Sequence, residues 1–201
     1  MCTVIKIDKI HLDALKEVGN IGAGQAASGL SEVIEEKLIP ASTQTSILLR
    51  DNIPDWLDAK GTVVTACFHL LSKAAGRLLL IISMDNMPSL LGYNQQLEHV
   101  TENDLQYLKK ITTIIISAYT TAISTFLDTV LVAHSPNLMV ESHENLKGIL
   151  TQNIAENKEL LVFKTMFYRS PLLTPWTQFW LIFDHEALIT MLKAADSLNN
   201  E

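Results

Sequence analysis

The sequence has only two cysteines in 201 residues, Cys2 and Cys67. Two cysteines cannot build a disulfide framework, and the pattern fits a reducing, cytoplasmic setting. Charge is scarce too: 18% of residues are charged and 48% are hydrophobic, enough apolar surface for a sizeable core and too much for a disordered chain. Fifteen Lys and Arg stand against 22 Asp and Glu, for a net charge of -7. The basic residues do not cluster, which argues against a nucleic-acid partner. The six histidines (His11, His69, His99, His134, His143 and His185) are scattered, and no HExxH or C-x-x-C spacing occurs. A protein-borne metal site therefore has no support. No G-x-S-x-G nucleophile motif is present either. The first seventeen residues mix charge with apolar residues and lack a signal-peptide h-region.

What is there reads as alternating helices and short apolar strands. A long helix is expected from Asp8 to Lys37, ended by Pro40. Thr45 to Leu49, Gly61 to Leu70 and Arg77 to Met84 read as strands, with turns at Asn52-Ile-Pro-Asp and Lys73-Ala-Ala-Gly. Asp85 is placed as the cap of a short helix ending near Gly92. Thr101-Glu-Asn-Asp104 opens a second long helix to about Phe126. It contains Ile111 to Leu127, seventeen residues without a charge. That length is at the bottom edge of a membrane span, and the segment is rich in Ser and Thr, so a buried helix is expected. A strand within Val130 to Val140, a helix or loop over Ser142 to Ile154, strands at Glu159 to Tyr168 and Phe179 to Phe183, and a helix from Asp184 to about Ala195 complete the pattern.

The second half repeats the first. LLLIISMDNMPSLL (Leu78 to Leu91) and FWLIFDHEALITML (Phe179 to Leu192) are both a strand, an Asp and a short amphipathic helix. The expected architecture is a single α/β (α+β) domain over residues 1–201. Its two helix-strand-strand-strand-helix halves, about 8–92 and 101–196, are related by a pseudo-two-fold and share one sheet with two long helices packed on it.

Two motifs carry the functional question. GAGQAA (Gly22 to Ala27) matches G-x-G-x-x-A, but a helix rather than a strand precedes it, so a dinucleotide site is disfavoured against close packing of small residues. Glu17 and Asn20 are three residues apart and share a helix face. Leu15, Val18 and Ile21 are expected on the apolar face. An E-x-x-N pair is by itself ordinary polar surface, but Asn is a poor mid-helix residue. Gly19 between the two is read as room for another molecule's backbone.

Leu12 to Ile34, LDALKEVGNIGAGQAASGLSEVI, resembles the hallmark helix of the CheC/CheX/FliY family of chemotaxis phosphatases that act on CheY-type response regulators. The pieces are Glu17, Asn20, Ile21-Gly22-Ala23-Gly24-Gln25-Ala26 and Leu30-Ser31. Gln25 stands where Asn is common, read as a minor packing change. Some members carry a second E-x-x-N pair on the second long helix. Here the equivalent positions are Lys110 and Thr113, a cation and a short hydroxyl that cannot do the same work.

The resemblance implies one site and a CheC-like fold. The activity implied is hydrolysis of an aspartyl phosphate on a CheY-like response regulator, with Asn20 positioning a water and Glu17 docking a regulator lysine. It implies no cofactor of the chain's own, because Mg2+ comes with the regulator. CheD, bound by some CheC-type proteins, is a second implied partner. The alternative is a non-catalytic adaptor that binds a response regulator or CheD.

Overall fold

The computed structural model describes residues 9–54, 57, 61–70, 75–93, 95, 97, 99–128, 130–152, 154, 158–170 and 175–198. Cys2 and part of the Asn52-Ile-Pro-Asp and Lys73-Ala-Ala-Gly turns lie outside them. Helix α1 spans Lys9–Ile34, followed by strands β1 (Ile39–Pro40), β2 (Gln44–Leu49), β3 (Thr62–Leu70) and β4 (Gly76–Ser83) and the short helix α2 (Met87–Leu90). The second half begins with α3 (Glu102–Leu127) and continues through β5 (Asn137–Ser142), α4 (His143–Thr151), β6 (Glu159–Tyr168), β7 (Thr177–Phe183) and α5 (His185–Leu198).

Local chemistry accounts for most of the element ends. Thr101 and Asp104 form a reciprocal capping box at the start of α3. Asp184 Oδ1 accepts from the Ala187 N–H and caps α5. Strand and helix ends shift by one to three residues at several places, and three differences have a clear local cause. Helix α1 stops at Ile34 because Glu35 turns left-handed (φ 54°), well before Pro40, which lies in β1. The turn ahead of α2 is capped by the Ser83 hydroxyl, which accepts from the Asp85 N–H; Asp85 is inside the turn rather than its cap. Of Val130 to Val140, only the part from Asn137 onward joins a strand, apart from a lone bridge between Ala133 and Leu70.

The seven strands form one sheet, with β1 and β2 both paired to β6 and the rest in the order β6-β7-β4-β3-β5. Every pairing is antiparallel. The halves interlock: β1 and β2 of the first pair with β6 of the second, β5 of the second pairs with β3 of the first, and β4 and β7 meet in the centre. Leu80 lies opposite Phe179 in that central pair. This exchange gives the expected pseudo-two-fold arrangement a shared hydrogen-bonded sheet.

Both faces of the sheet are buried, so Leu78 to Ile82 of β4 and Phe179 to Phe183 of β7 read as continuous apolar runs rather than alternating ones. One face, with Phe68, Leu80, Phe163, Leu181 and Phe183, packs under α1, α3 and α5. The other, with Leu79, Val162, Trp180 and Ile182, packs against Leu146 and Leu150 of α4 and against Ile53. Helix α3 is long and apolar enough to cross a membrane by length and composition. Its Ile111, Ile115, Tyr119 and Ile123 face the core, while Lys110, Thr113, Ser117, Thr121 and Thr125 face outward. An apolar face turned inward and a hydroxyl-lined face turned outward is the pattern of a core helix.

The glycines of α1 let it lie close to its neighbours. A Cβ on Gly22 would come within 2.7 Å of the Tyr119 ring of α3, and one on Gly29 within 2.8 Å of Ile114. Tyr119 cannot retreat, because it is fully buried and stacked on Phe179 at a centroid distance of 4.1 Å. Gly24 has open space where its Cβ would be. Gly22→Val is therefore expected to lose roughly 1–3 kcal/mol of stability through overpacking. Gly24→Ala is expected to gain up to about 1 kcal/mol from helix propensity. Urea denaturation checks the opposite signs, and a Gly22→Val midpoint at or above wild type would contradict the packing account.

Candidate functional site on the first long helix

At 100° per residue, Ile10, Glu17, Ile21, Gly24 and Ser28 fall on one narrow stripe of α1. The stripe is turned to solvent. Glu17 and Ser28 are exposed, and Ile10 and Ile21 are 57% and 47% exposed. Ile21 thus lies beside Glu17 and not with Leu15 and Val18, which are buried. The every-third-residue pattern misplaced it: three-residue steps drift by 60° each on a 3.6-residue helix, so Ile21 is a third of a turn from Leu15. Gln25 is exposed as well, so its departure from the family's Asn is a surface change and not a packing one.

Asn20, at the edge of this stripe, is half-buried. Its Oδ1 accepts from the backbone N–H of Thr43 at 2.9 Å. Since a backbone N–H needs an acceptor, this bond fixes which end of the carboxamide points inward. Among the described residues the Nδ2 hydrogens meet no acceptor. Asn20 therefore presents an oriented NH2 group beside an exposed carboxylate.

Gly19 is what brings Thr43 so close. It is buried, and a Cβ there would lie 2.8 Å from Thr43 Cγ2 and 3.3 Å from Phe163 Cδ1. The space expected for another molecule's backbone is filled by the chain's own loop. Thr43 is itself 1% exposed, and its hydroxyl lies 2.8 Å from that of Thr165 in β6. Thr165 Oγ1 in turn accepts from the Tyr119 hydroxyl of α3 at 2.9 Å. Burial pushes the Tyr119 phenol up, against the opposing effect of its bond to Thr165, so it stays a proton donor throughout the physiological range.

Thr43, Thr165 and Tyr119 were invisible as site residues. Thr43 acts through its main chain, which no side-chain motif reports. The one available signal was Gly19, which demanded a close neighbour without naming it.

The counterpart on α3 is different. Lys110 and Thr113 are both exposed, and the Thr113 hydroxyl donates to the Lys109 carbonyl of its own helix at 2.7 Å. Neither group is oriented by another part of the fold.

A cleft of about 820 Å³ lies elsewhere, against the end of β3, the start of β4 and the start of α5, and no residue of α1 lines it. Glu17 and Asn20 lie outside this cleft, on a solvent-facing side of α1 that suits a macromolecular partner. Among the described residues, no three His, Cys, Asp or Glu side chains are grouped to hold a metal ion.

This arrangement can be set beside known proteins. The CheC-like family model matches residues 10–41, which take in α1, Glu17, Asn20 and the chain up to Ala41, two residues short of Thr43. No curated protein matches. Among solved structures, FliY from Thermotoga maritima is similar at a TM-score of 0.73 and 15% identity, over 96% of this chain and 99% of that one. FliM in a FliG–FliM complex from H. pylori is similar at 0.67 and 14%, over 93% and 100%. A CheC-like superfamily protein from Shewanella sp. PV-4 follows at 0.56 and 11%, over 89% and 99%. The fold is CheC-like. The resemblance read from Leu12 to Ile34 is thus borne out. So is the mixed helix-and-sheet class, on a fold shared by chemotaxis and flagellar-switch proteins.

Asn20→Ala removes the acceptor for a buried N–H and is expected to cost about 1–2 kcal/mol. Asn20→Asp keeps that acceptor and is expected to stay within roughly 0.5 kcal/mol of wild type, the scale of its added repulsion with Glu17. Denaturation midpoints of the two variants check this, and equal losses would remove the Thr43 bond from the account.

Proposed function

We propose that this chain is a cytoplasmic phosphatase that hydrolyses the aspartyl phosphate of a CheY-like response regulator. The observation that carries the reading is the Asn20 carboxamide, tied at Oδ1 to the Thr43 N–H and free at Nδ2, next to exposed Glu17 on an open helix face.

Phosphoryl transfer passes through a loose transition state, so the catalyst's work is positioning and charge stabilisation. Asn20 cannot take a proton at neutral pH. Its Nδ2 can donate to a water and hold a lone pair of that water in line with the phosphorus. The water oxygen bonds to phosphorus as the bond to the aspartyl oxygen breaks. The aspartate leaves as a carboxylate, and the water's proton passes to a phosphoryl oxygen or to solvent. Mg2+, on this reading, is held by the regulator and neutralises the phosphoryl oxygens.

Glu17 would repel the phosphoryl group, so its role is to pair with a regulator lysine and set the register. Ile10 and Ile21 flank it as apolar contacts. Bare Gly24 allows a partner's close approach one turn further along.

A second reading has a specific observation behind it. FliM, which is not a phosphatase, shares this fold over the full length of the crystallised chain. The chain would then be a docking module for a response regulator, a flagellar switch component or CheD. Phosphate release from a phosphorylated regulator with Mg2+ separates the two readings.

On the enzyme reading, Asn20→Asp lowers the rate about 100-fold or more, the scale of losing one transition-state donor. Glu17→Lys raises KM about tenfold with little change in kcat, equivalent to ~1.4 kcal/mol for a charge-assisted pair. Lys110→Ala and Thr113→Ala leave both parameters near wild type. No phosphate release by wild type, with binding intact, favours the docking module.

A further inference from the structure

A hydrogen-bonded path runs inward from Asn20 to Tyr119, and only its outer end touches the proposed chemistry. We infer that Tyr119, on the helix that lacks its own acid–amide pair, is a positioning residue for Asn20, acting through Thr165 and Thr43. The inference rests on the phosphatase reading and deepens it.

The path is short and buried. The Tyr119 hydroxyl donates to Thr165 Oγ1 at 2.9 Å, the Thr165 and Thr43 hydroxyls are 2.8 Å apart, and the Thr43 N–H reaches Asn20 Oδ1 at 2.9 Å. Thr43 precedes β2 in an irregular segment and has no strand partner of its own. It lies between Ala41, whose N–H donates to the Met166 carbonyl at 2.8 Å, and Gln44, which pairs with Lys164, and side-chain contacts complete its placement. The hydroxyl is held by Thr165, and the methyl sits against Gly19, where there is no room for a Cβ.

Tyr119 and Thr165 therefore fix where the Thr43 N–H points, and the N–H fixes the carboxamide plane of Asn20. A misplacement of about 1 Å in a catalytic group can cost on the order of 100-fold in rate, so a support this direct acts on turnover. The phenol ring is anchored independently by its stack on Phe179. Loss of the hydroxyl alone leaves that packing in place.

The test uses the full chain with Tyr119→Phe and Thr43→Val. The second keeps the backbone N–H and the branched shape and removes only the hydroxyl. Steady-state dephosphorylation of a phosphorylated regulator gives kcat and KM, and NMR hydrogen exchange gives the opening of the Thr43 amide. Each variant is expected to lower kcat about tenfold with KM unchanged. The Thr43 amide should exchange at least about tenfold faster while amides of β4 and β7 keep their rates. The double variant should be no slower than the worse single one.

An unchanged kcat in Tyr119→Phe overturns the inference, whatever the exchange does. A lower kcat with unchanged Thr43 exchange removes the route through Thr43 and also overturns it. Faster exchange throughout β4 and β7 would mean a structural role only. If the wild type releases no phosphate, it is the phosphatase reading that fails. The Thr43 exchange rate in Tyr119→Phe then decides alone whether Tyr119 holds Asn20's partner.

Discussion

The hydrogen bond from the Thr43 N–H to Asn20 Oδ1 depends on how closely a loop can approach the middle of a helix. Helix interiors normally keep other backbone away with their own side chains. Here Gly19 removes the obstruction, and the contact it permits leaves Thr43 buried within hydrogen-bonding reach of the neighbouring side chain. Gly22 and Gly29 do the same for α3, so α1 is set down onto its surroundings along most of its length. The glycines weaken the isolated helix by roughly 1 kcal/mol each, and tertiary packing has to offset that. The acid–amide pair is thus held in place by the tight packing of the helix that carries it.

The same packing explains why a polar pair on a helix surface is more than solvated decoration. An exposed Asn samples several rotamers and can present either end of its amide. Tying Oδ1 to the main chain removes that freedom and leaves one donor group directed outward. Glu17, one turn away and exposed, has no comparable restraint among the described contacts. On the proposed phosphatase reading, the difference fits a division of labour in which the oriented group meets the reacting atoms and the exposed charge meets a partner's surface.

Much of the fold was legible in the sequence because its strands and helices announce themselves locally. Glu159 to Tyr168 was read with the ends it has, the Thr101–Asp104 capping box marked the start of α3, and Asp184 marked that of α5. Errors arose where the deciding contact is distant or unusual. Glu35 ends α1 through a left-handed backbone that no residue type required. Ile21 was assigned to the core by a three-residue rhythm that rotates around the helix. At the candidate site, the pairing of Glu17 with Asn20 on one helix was readable, and Gly19 signalled a close approach, though by the chain's own loop and not by another molecule. The neighbour that Gly19 admits was not, because Thr43 is 23 residues from Asn20 and contributes a main-chain group.

The absence of an acid–amide pair at Lys110 and Thr113 fits the same constraint. The alignment that puts Lys110 and Thr113 at Glu17 and Asn20 also puts Thr112 at Gly19, Ile115 at Gly22 and Tyr119 at Ala26. Thr112 and Ile115 are buried, so α3 carries bulk where α1 has none. A loop cannot settle against α3 at Thr112 as it does at Gly19, and an amide at position 113 would lack an oriented partner. The bulk has a structural use, since the Tyr119 ring fills the space that Gly22 leaves open. Small residues on one helix and large ones on the other are two sides of one interface, so the symmetry of the sheet does not extend to the helices. Placing Glu at 110 and Asn at 113 without also removing the side chain at 112 would supply the residue types of a second site but not its geometry.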